Sequence, residues 1–167
     1  DAMITIFFFG GIYAKQTFGF TFNEIMIFGI VLNVAAGLGA FAFGFLDDFI
    51  GAKRTIQISN FFIFTSIMIA ALAQSSLWIW VSGIILGIFS GPNQSASRSL
   101  MGRIIPKEKT NEFFGFYAFS GKATSFLGPL ILGIIISLTD SQRIGMVAVS
   151  LLLIGGMALL SDINDKT

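Results

Sequence analysis

The sequence predicts an all-α membrane protein of six transmembrane helices, and three observations predict it. From Thr55 to Ser97 there is no Asp, Glu, Lys or Arg, and the stretch is bracketed by Lys53-Arg54 and Arg98. It is long enough for two crossings of about 20 residues each, joined at the polar turn Gln74-Ser75-Ser76. Composition agrees: 54% of the residues are hydrophobic, 11% are charged against about 25% in a soluble domain, and the mean hydropathy is +0.85. No strand-like alternation of apolar and polar residues runs through these segments, so their backbone amides must be satisfied within helices.

The charge-free runs and their punctuation place each helix in turn. The first covers residues 2–18, with Lys15 near its end. The second, 22–46, stops where Asp47 and Asp48 bring charge, and the third, 56–73, follows the basic pair Lys53-Arg54. The fourth covers 77–100. Leu77 to Gly91 would make only about 22 Å of helix, too short to cross, so this helix must continue through Pro92 with a kink. The fifth, 111–138, is interrupted at Gly128-Pro129, and the sixth covers 144–160.

Six crossings put both termini on one side. Lys53, Arg54, Arg98, Arg103, Lys107, Lys109 and Lys166 fall on that side, against Lys15 and Arg143 on the other, so the termini are expected to be cytoplasmic. The expected location is a bacterial cell membrane. Asp1 leads straight into an apolar run with neither an initiator Met nor a signal peptide, which suggests a fragment of a longer protein.

Composition also excludes chemistry. Without Cys or His there is no disulfide, no zinc or haem ligand set and no imidazole acid–base group, and no cofactor is implied. A net charge of +1 gives no basic field for nucleic acid. A membrane enzyme would need paired carboxylates at one depth, and only the adjacent Asp47 and Asp48 come near; consecutive residues on a helix diverge by about 100°.

Gly83, Gly87 and Gly91 line one face of the fourth helix and let a neighbouring backbone approach, and Gly37, Gly39 and Gly44 thin the second in the same way. Polar residues gather beside the two Gly-Pro steps: Asn93, Gln94, Ser95 and Ser97 after Gly91-Pro92, and Lys122, Thr124 and Ser125 before Gly128-Pro129. Interrupted helices at membrane depth line cavities or pack in protein, and in transporters they mark binding regions. Lys122 falls about 16 Å into the fifth helix, near mid-bilayer, where a cation costs at least about 3 kcal/mol. It is a candidate for attracting a carboxylate or phosphate of a solute, or for exchanging a proton with an acid; the alternative is a stem that snorkels to the headgroups. Asn33, at mid-span of the second helix, is a candidate for an interhelical hydrogen bond or a solute contact. Arg98 is an interface anchor with Asp47 or Asp48 as a candidate partner.

Between the second and third helices the chain reads Gly44-Phe45-Leu46-Asp47-Asp48-Phe49-Ile50-Gly51-Ala52-Lys53-Arg54. This resembles the cytoplasmic loop signature of the major facilitator superfamily, G-x-L-A-D-R-x-G-R-K-R. Gly44, Leu46, Asp48, Gly51, Lys53 and Arg54 match, while Asp47 replaces Ala, Phe49 replaces Arg and Ala52 replaces a basic residue. The resemblance implies that Asp48 and Arg54 belong to a charge network that latches the inward face, with one cation lost at Phe49.

Further strings narrow the resemblance. Gly91-Pro92-Asn93-Gln94-Ser95-Ala96-Ser97-Arg98, Ile105-Pro106, Glu112-Phe113-Phe114-Gly115-Phe116-Tyr117 and Ser120-Gly121-Lys122-Ala123-Thr124 through Gly128-Pro129 are similar to the second half of the vacuole-effluxer-like branch, whose fungal members are associated with amino-acid efflux from vacuoles. The resemblance covers nearly the whole chain. It implies the C-terminal six helices of a twelve-helix transporter working by alternating access, with a small solute and the bilayer as partners. The missing N-terminal half, or a second copy, would supply the other wall of the cavity. A non-transporting membrane scaffold is the rival reading, disfavoured by the two polar-flanked Gly-Pro breaks and Lys122.

Overall fold

In a computed structural model, which describes residues 2–162, the chain is helical throughout; among the described residues there is no strand. The helices are α1 (Ala2–Phe18), α2 (Phe22–Ile50), α3 (Ala52–Leu72), α4 (Ser76–Ile104), α5 (Thr110–Thr124), α6 (Leu127–Thr139) and α7 (Gln142–Ser161), with a 3-10 turn at Lys107–Lys109. Five segments are long and apolar enough to cross a membrane: one within α2, then α3, α4, the α5–α6 pair taken together, and α7. The first expected crossing, α1, has 17 residues. At about 1.5 Å per residue that is roughly 26 Å, at the lower limit of a span. Asp1 and Lys166, used above to place the start and the sidedness, lie outside the described residues.

The helices meet by packing small residues, as expected where lipid removes the hydrophobic drive between helices. α4 is the centre of the bundle and packs most extensively on α2 and α3. A methyl group on Gly39 would collide with the carbonyl oxygen of Ile88, one on Gly91 with that of Ala36, and one on Gly87 would stand 2.7 Å from that of Leu32. Gly83 receives the Phe28 ring. Gly37 and Gly44 have open space instead, so of the three glycines expected to thin the second helix only Gly39 does so. The core, with Tyr13, Phe28, Leu32, Ile63, Ile67 and Met146, lies among α1, α2, α3 and α7 beside α4. On the opposite face of α2, Met26, Ile30, Val34, Leu38, Phe41 and Phe45 stand exposed every three or four residues, an apolar stripe suited to lipid or to a further helix.

Two prolines have opposite effects. α4 runs unbroken through the buried Pro92, as the sequence requires. The missing N–H of Pro92 frees the Ile88 carbonyl four residues earlier, and Gly39 of α2 packs against that oxygen. The fifth expected helix, by contrast, is divided into α5 and α6, and the break falls at Ser125-Phe126 instead of Gly128-Pro129. Pro129 is the third residue of α6, where no helical donor is needed, and it offers no N–H to the Ser125 carbonyl four residues earlier. Ser125 turns the chain by donating its N–H (3.3 Å) and its hydroxyl (2.8 Å) to the Lys122 carbonyl.

Polar contacts sort the helix ends into two groups. At one end Gln142 bonds to Gln16 and to Thr17, and Arg143 Nη2 donates to Ala73 O at 2.7 Å. There Tyr13, 1% exposed, donates to Ala70 O at 3.0 Å, so side chains from α1 and α7 both serve the last carbonyls of α3. Thr21 and Glu24 form a capping box that starts α2 at this end. At the other end Lys53 donates to Ser161 O at 2.8 Å, and the small residues Ala52 and Ala96 bring α3 onto α4.

Candidate functional site

The joint between α2 and α3 is far tighter than the loop expected from its charges. α2 continues four residues past its expected end, to Ile50, and α3 begins at Ala52 instead of residue 56, which leaves Gly51 alone as the connection. Gly51 has φ 85°, a conformation that glycine adopts without strain, and its N–H closes α2 on Asp47 O at 3.0 Å. Gly44 and Leu46 therefore lie in the last turns of α2, Asp47 and Asp48 close behind them, and Lys53 and Arg54 in the first turn of α3. Arg54 is exposed.

Both carboxylates reach a cation that the sequence did not single out for them. Arg103, near the end of α4, places Nη2 at 3.6 Å from Asp47 Oδ2 and 4.0 Å from Asp48 Oδ1. Arg98, an interface anchor and a candidate partner, is exposed one and a half turns earlier on α4, while Arg103 comes level with the end of α2. The spacing along α4 could have shown this, since α2 and α4 pack along their length and their last turns must coincide.

Deeper in the bundle a cavity of about 250 Å³ opens between α1, α2 and α4. Asn33, Ser90 and Gln94 give it a polar wall, and Met3, Phe7 and Phe8 give it an apolar one. Asn33 Nδ2 donates to Gly29 O at 2.8 Å, which leaves its amide oxygen as an acceptor, and Gln94 is exposed towards the space. No charged residue lines the cavity, so it can hold a solute by hydrogen bonds and by contact with the rings, without an ion pair.

The other expected pathway residues are elsewhere. Asn93 donates from Nδ2 to Asn60 Oδ1 at 2.6 Å and so joins α4 to α3 instead of facing the cavity. Asn60 carries no motif that would have singled it out. Lys122 lies in the last turn of α5, exposed, with Ser125 bonded to its carbonyl. α5 has no buried residue, and Phe116 and Phe119 stand out from it uncovered. The structure brings Asn33 and Gln94 together; it does not bring Lys122 or Ser125 to them. Among the described residues there is no group of His, Cys, Asp and Glu that could hold a metal ion.

The family model described as "Vacuole effluxer Atg22 like" matches residues 1–166. An uncharacterized MFS-type transporter, YxiO of Bacillus subtilis, is 25% identical over 145 residues, covering 87% of this chain and 34% of that protein. Autophagy-related protein 22-2 of Emericella nidulans is 37% identical over 88 residues, which are 53% of this chain and 15% of that protein. Autophagy-related protein 22 of Cryptococcus neoformans is 22% identical over 168 residues, 91% of this chain and 29% of that protein. The chain thus spans about a third or less of the length of these curated relatives. No solved structure matches. Carried by a family match that runs nearly from end to end, the signature joint, the glycine-packed helices and the polar cavity have one common setting: this chain belongs to the vacuole effluxer Atg22-like family.

Proposed function

We propose that the chain is the C-terminal six-helix half of a secondary transporter that moves a small solute by alternating access. The observation that carries this reading is the cavity of about 250 Å³ in which Asn33, Ser90 and Gln94 face Phe7 and Phe8. It is uncharged and mostly apolar, with Asn33, Ser90 and Gln94 as its polar side, and it lies among helices of a family described as effluxers. Asn33 is about 17 Å along α2, close to the depth at which transporters bind their cargo. Asn33 and Gln94 hydrogen-bond the solute, and the rings hold its apolar part. Amino acids, the class suggested by the family resemblance, suit such a wall.

The remaining assignments follow from placement. The outer face of α5, bare of partners in this chain, packs against the N-terminal half or a second copy, and that contact turns Lys122 towards the solute's anionic group. Asn93 holds the Pro92 region of α4 to α3. The basic residues at the Gly51 end make that end, and the termini, cytoplasmic. The membrane is a bacterial cell membrane. No Asp or Glu lies deep in these helices, so a carboxylate for proton coupling comes from outside the chain.

The test is uptake of an amino-acid mixture into liposomes that hold the full-length protein, with protein-free liposomes as control. Accumulation of particular amino acids, reduced about two- to tenfold by Asn33→Ala or Gln94→Ala, supports the reading, as the loss of a hydrogen bond of about 0.5–1.5 kcal/mol requires. No accumulation with either sign of pH gradient, extended over a broad panel of solutes, favours a membrane scaffold instead.

A further inference from the structure

Along α1 two spaces lie end to end, and one side chain borders both. The cavity described above touches α1 at Met3, Phe7 and Phe8 and reaches Ser90 and Gln94 on α4. Towards the Tyr13 end lies a smaller space of about 30 Å³, bounded by Gly10 and Tyr13 of α1, Phe28 and Leu32 of α2, and Ile79 and Leu86 of α4. Phe7 borders this space as well, half-buried against the core. From Gln94 to Ile79 the two spaces follow α4 for about 22 Å, in a hydrocarbon layer about 30 Å thick. Among the described residues no charge lines either of them. The smaller space suits an apolar group better than water. Its size would admit one water, for which about 10–15 Å³ suffices, but a buried water needs about two to four polar partners. The hydroxyls that border it are already engaged: Ser66 donates to Ser82 O at 2.7 Å, Ser82 to Ile79 O at 2.9 Å and Tyr13 to Ala70 O at 3.0 Å. Gly10, on the same face of α1 as Phe7, has nothing within 4 Å of where a Cβ would stand, so α1 itself leaves room beside the ring. At the Tyr13 end Phe28, set edge to face against Trp80 at 5.2 Å, bounds the space.

We propose that Phe7 is a movable partition: its ring closes the cavity towards the Tyr13 end, and its withdrawal joins the cavity to the smaller space as one passage along α1. A phenylalanine in a helix has two open χ1 wells, at about 180° and about −60°, and turning from one to the other carries the ring sideways around the helix. Such a turn needs apolar room beside the ring, which a closely packed core seldom leaves and the smaller space supplies. Met146 also borders that room, and its unbranched, adaptable side chain yields to a ring more readily than backbone does. On α4 Ser90 lines the cavity alone and Leu86 the smaller space alone, so the partition falls between neighbouring turns of that helix. That a solute uses both spaces rests on the reading above; the partition itself does not.

The test uses the full-length protein in membrane vesicles, with Leu86→Cys reporting on the smaller space and Gln94→Cys on the cavity; this chain has no cysteine of its own, and any others are replaced. A membrane-impermeant methanethiosulfonate that carries a quaternary ammonium is added on the side from which the exposed Arg54→Cys reacts. With Phe7 in place, Leu86→Cys is expected to react to completion but at least about tenfold more slowly than Gln94→Cys. Phe7→Ala should raise the Leu86→Cys rate at least about tenfold and leave the Gln94→Cys rate within about twofold. Phe7→Leu should fall between, and it decides by the same criterion if the alanine disturbs the Gln94→Cys rate. A Leu86→Cys rate that neither variant raises, or one equal to that of Gln94→Cys with Phe7 in place, overturns the partition. A Leu86→Cys that reacts only once Phe7 is shortened makes the ring a fixed wall and overturns its movement. Solute uptake by the protein without these cysteines keeps the two readings apart: a partition that opens as expected in a protein that moves no solute stands, and the transport reading falls.

Discussion

Gly39 of α2 packs against the carbonyl oxygen of Ile88 in α4, the oxygen that Pro92 deprives of its helical donor. A proline inside a helix costs about 3 kcal/mol or more, largely through this orphaned acceptor and the clash beside it. Close approach of a glycine Cα–H offsets part of that cost and is worth about 0.5–1 kcal/mol. Gly91, one residue before the proline, is met by the Ala36 carbonyl in return. The helix therefore survives its proline because its neighbour is thin at the right height.

Alanine at either of these glycines should separate α2 from α4. We expect Gly39→Ala and Gly91→Ala each to lower stability in detergent by about 1–3 kcal/mol, since the obstacle is backbone and cannot rotate away. Gly44→Ala, with nothing within 4 Å, should be neutral or stabilising by up to about 1 kcal/mol. Thermal unfolding followed by circular dichroism distinguishes them; equal melting of all three contradicts the packing.

The Asn60–Asn93 bond at 2.6 Å predicts an interhelical coupling and no direct solute contact. Alanine at either position should cost about 1 kcal/mol, and the double variant little more than either one, the size found for polar pairs between membrane helices. A double-mutant cycle of unfolding free energies checks this. Additive losses mean that the pair does not interact.

Lys122 predicts a split between folding and function. In the full-length protein Lys122→Ala should abolish or redirect transport while membrane abundance stays nearly intact, because the side chain is exposed and packs on nothing in this chain. Abundance by immunoblot and uptake measured together decide it; an equal fall in both assigns Lys122 to folding.

The opposite end of the bundle is held by neutral and cationic donors on the α3 carbonyls. Tyr13→Phe removes the 3.0 Å bond to Ala70 O, leaves that oxygen the 3.3 Å bond from the Ala73 N–H, and should cost about 1 kcal/mol. Unfolding in detergent checks the loss, and an unchanged stability contradicts the assigned bond.

Much of this was legible in the sequence, for stated physical reasons. Charge-free runs fix where helices lie, and residues 2–18 coincide with α1. Charges mislead at helix ends. Asp47 and Asp48 read as loop residues, yet a cation from α4 lets α2 run on to Ile50, and that cation is fixed by the height of one helix against another, which no local pattern states. Prolines mislead similarly. Gly91-Pro92 and Gly128-Pro129 look alike, and only the helix beside Pro92 distinguishes a helix that continues from one that breaks four residues upstream, at Ser125. Of the polar residues near Pro92, Gln94 points to the cavity and Asn93 to Asn60, a difference set by about 100° of helical rotation.

Under the proposed function, the space beside Asn33 and Gln94 is the solute's path. The most direct measurement is labelling of Gln94→Cys in the full-length protein by a membrane-impermeant maleimide, applied from each side in turn, with and without a transported solute. Reaction from both sides, slowed by the solute from each, is the predicted result. Reaction from one side only, or a rate that no transported solute changes, would contradict it.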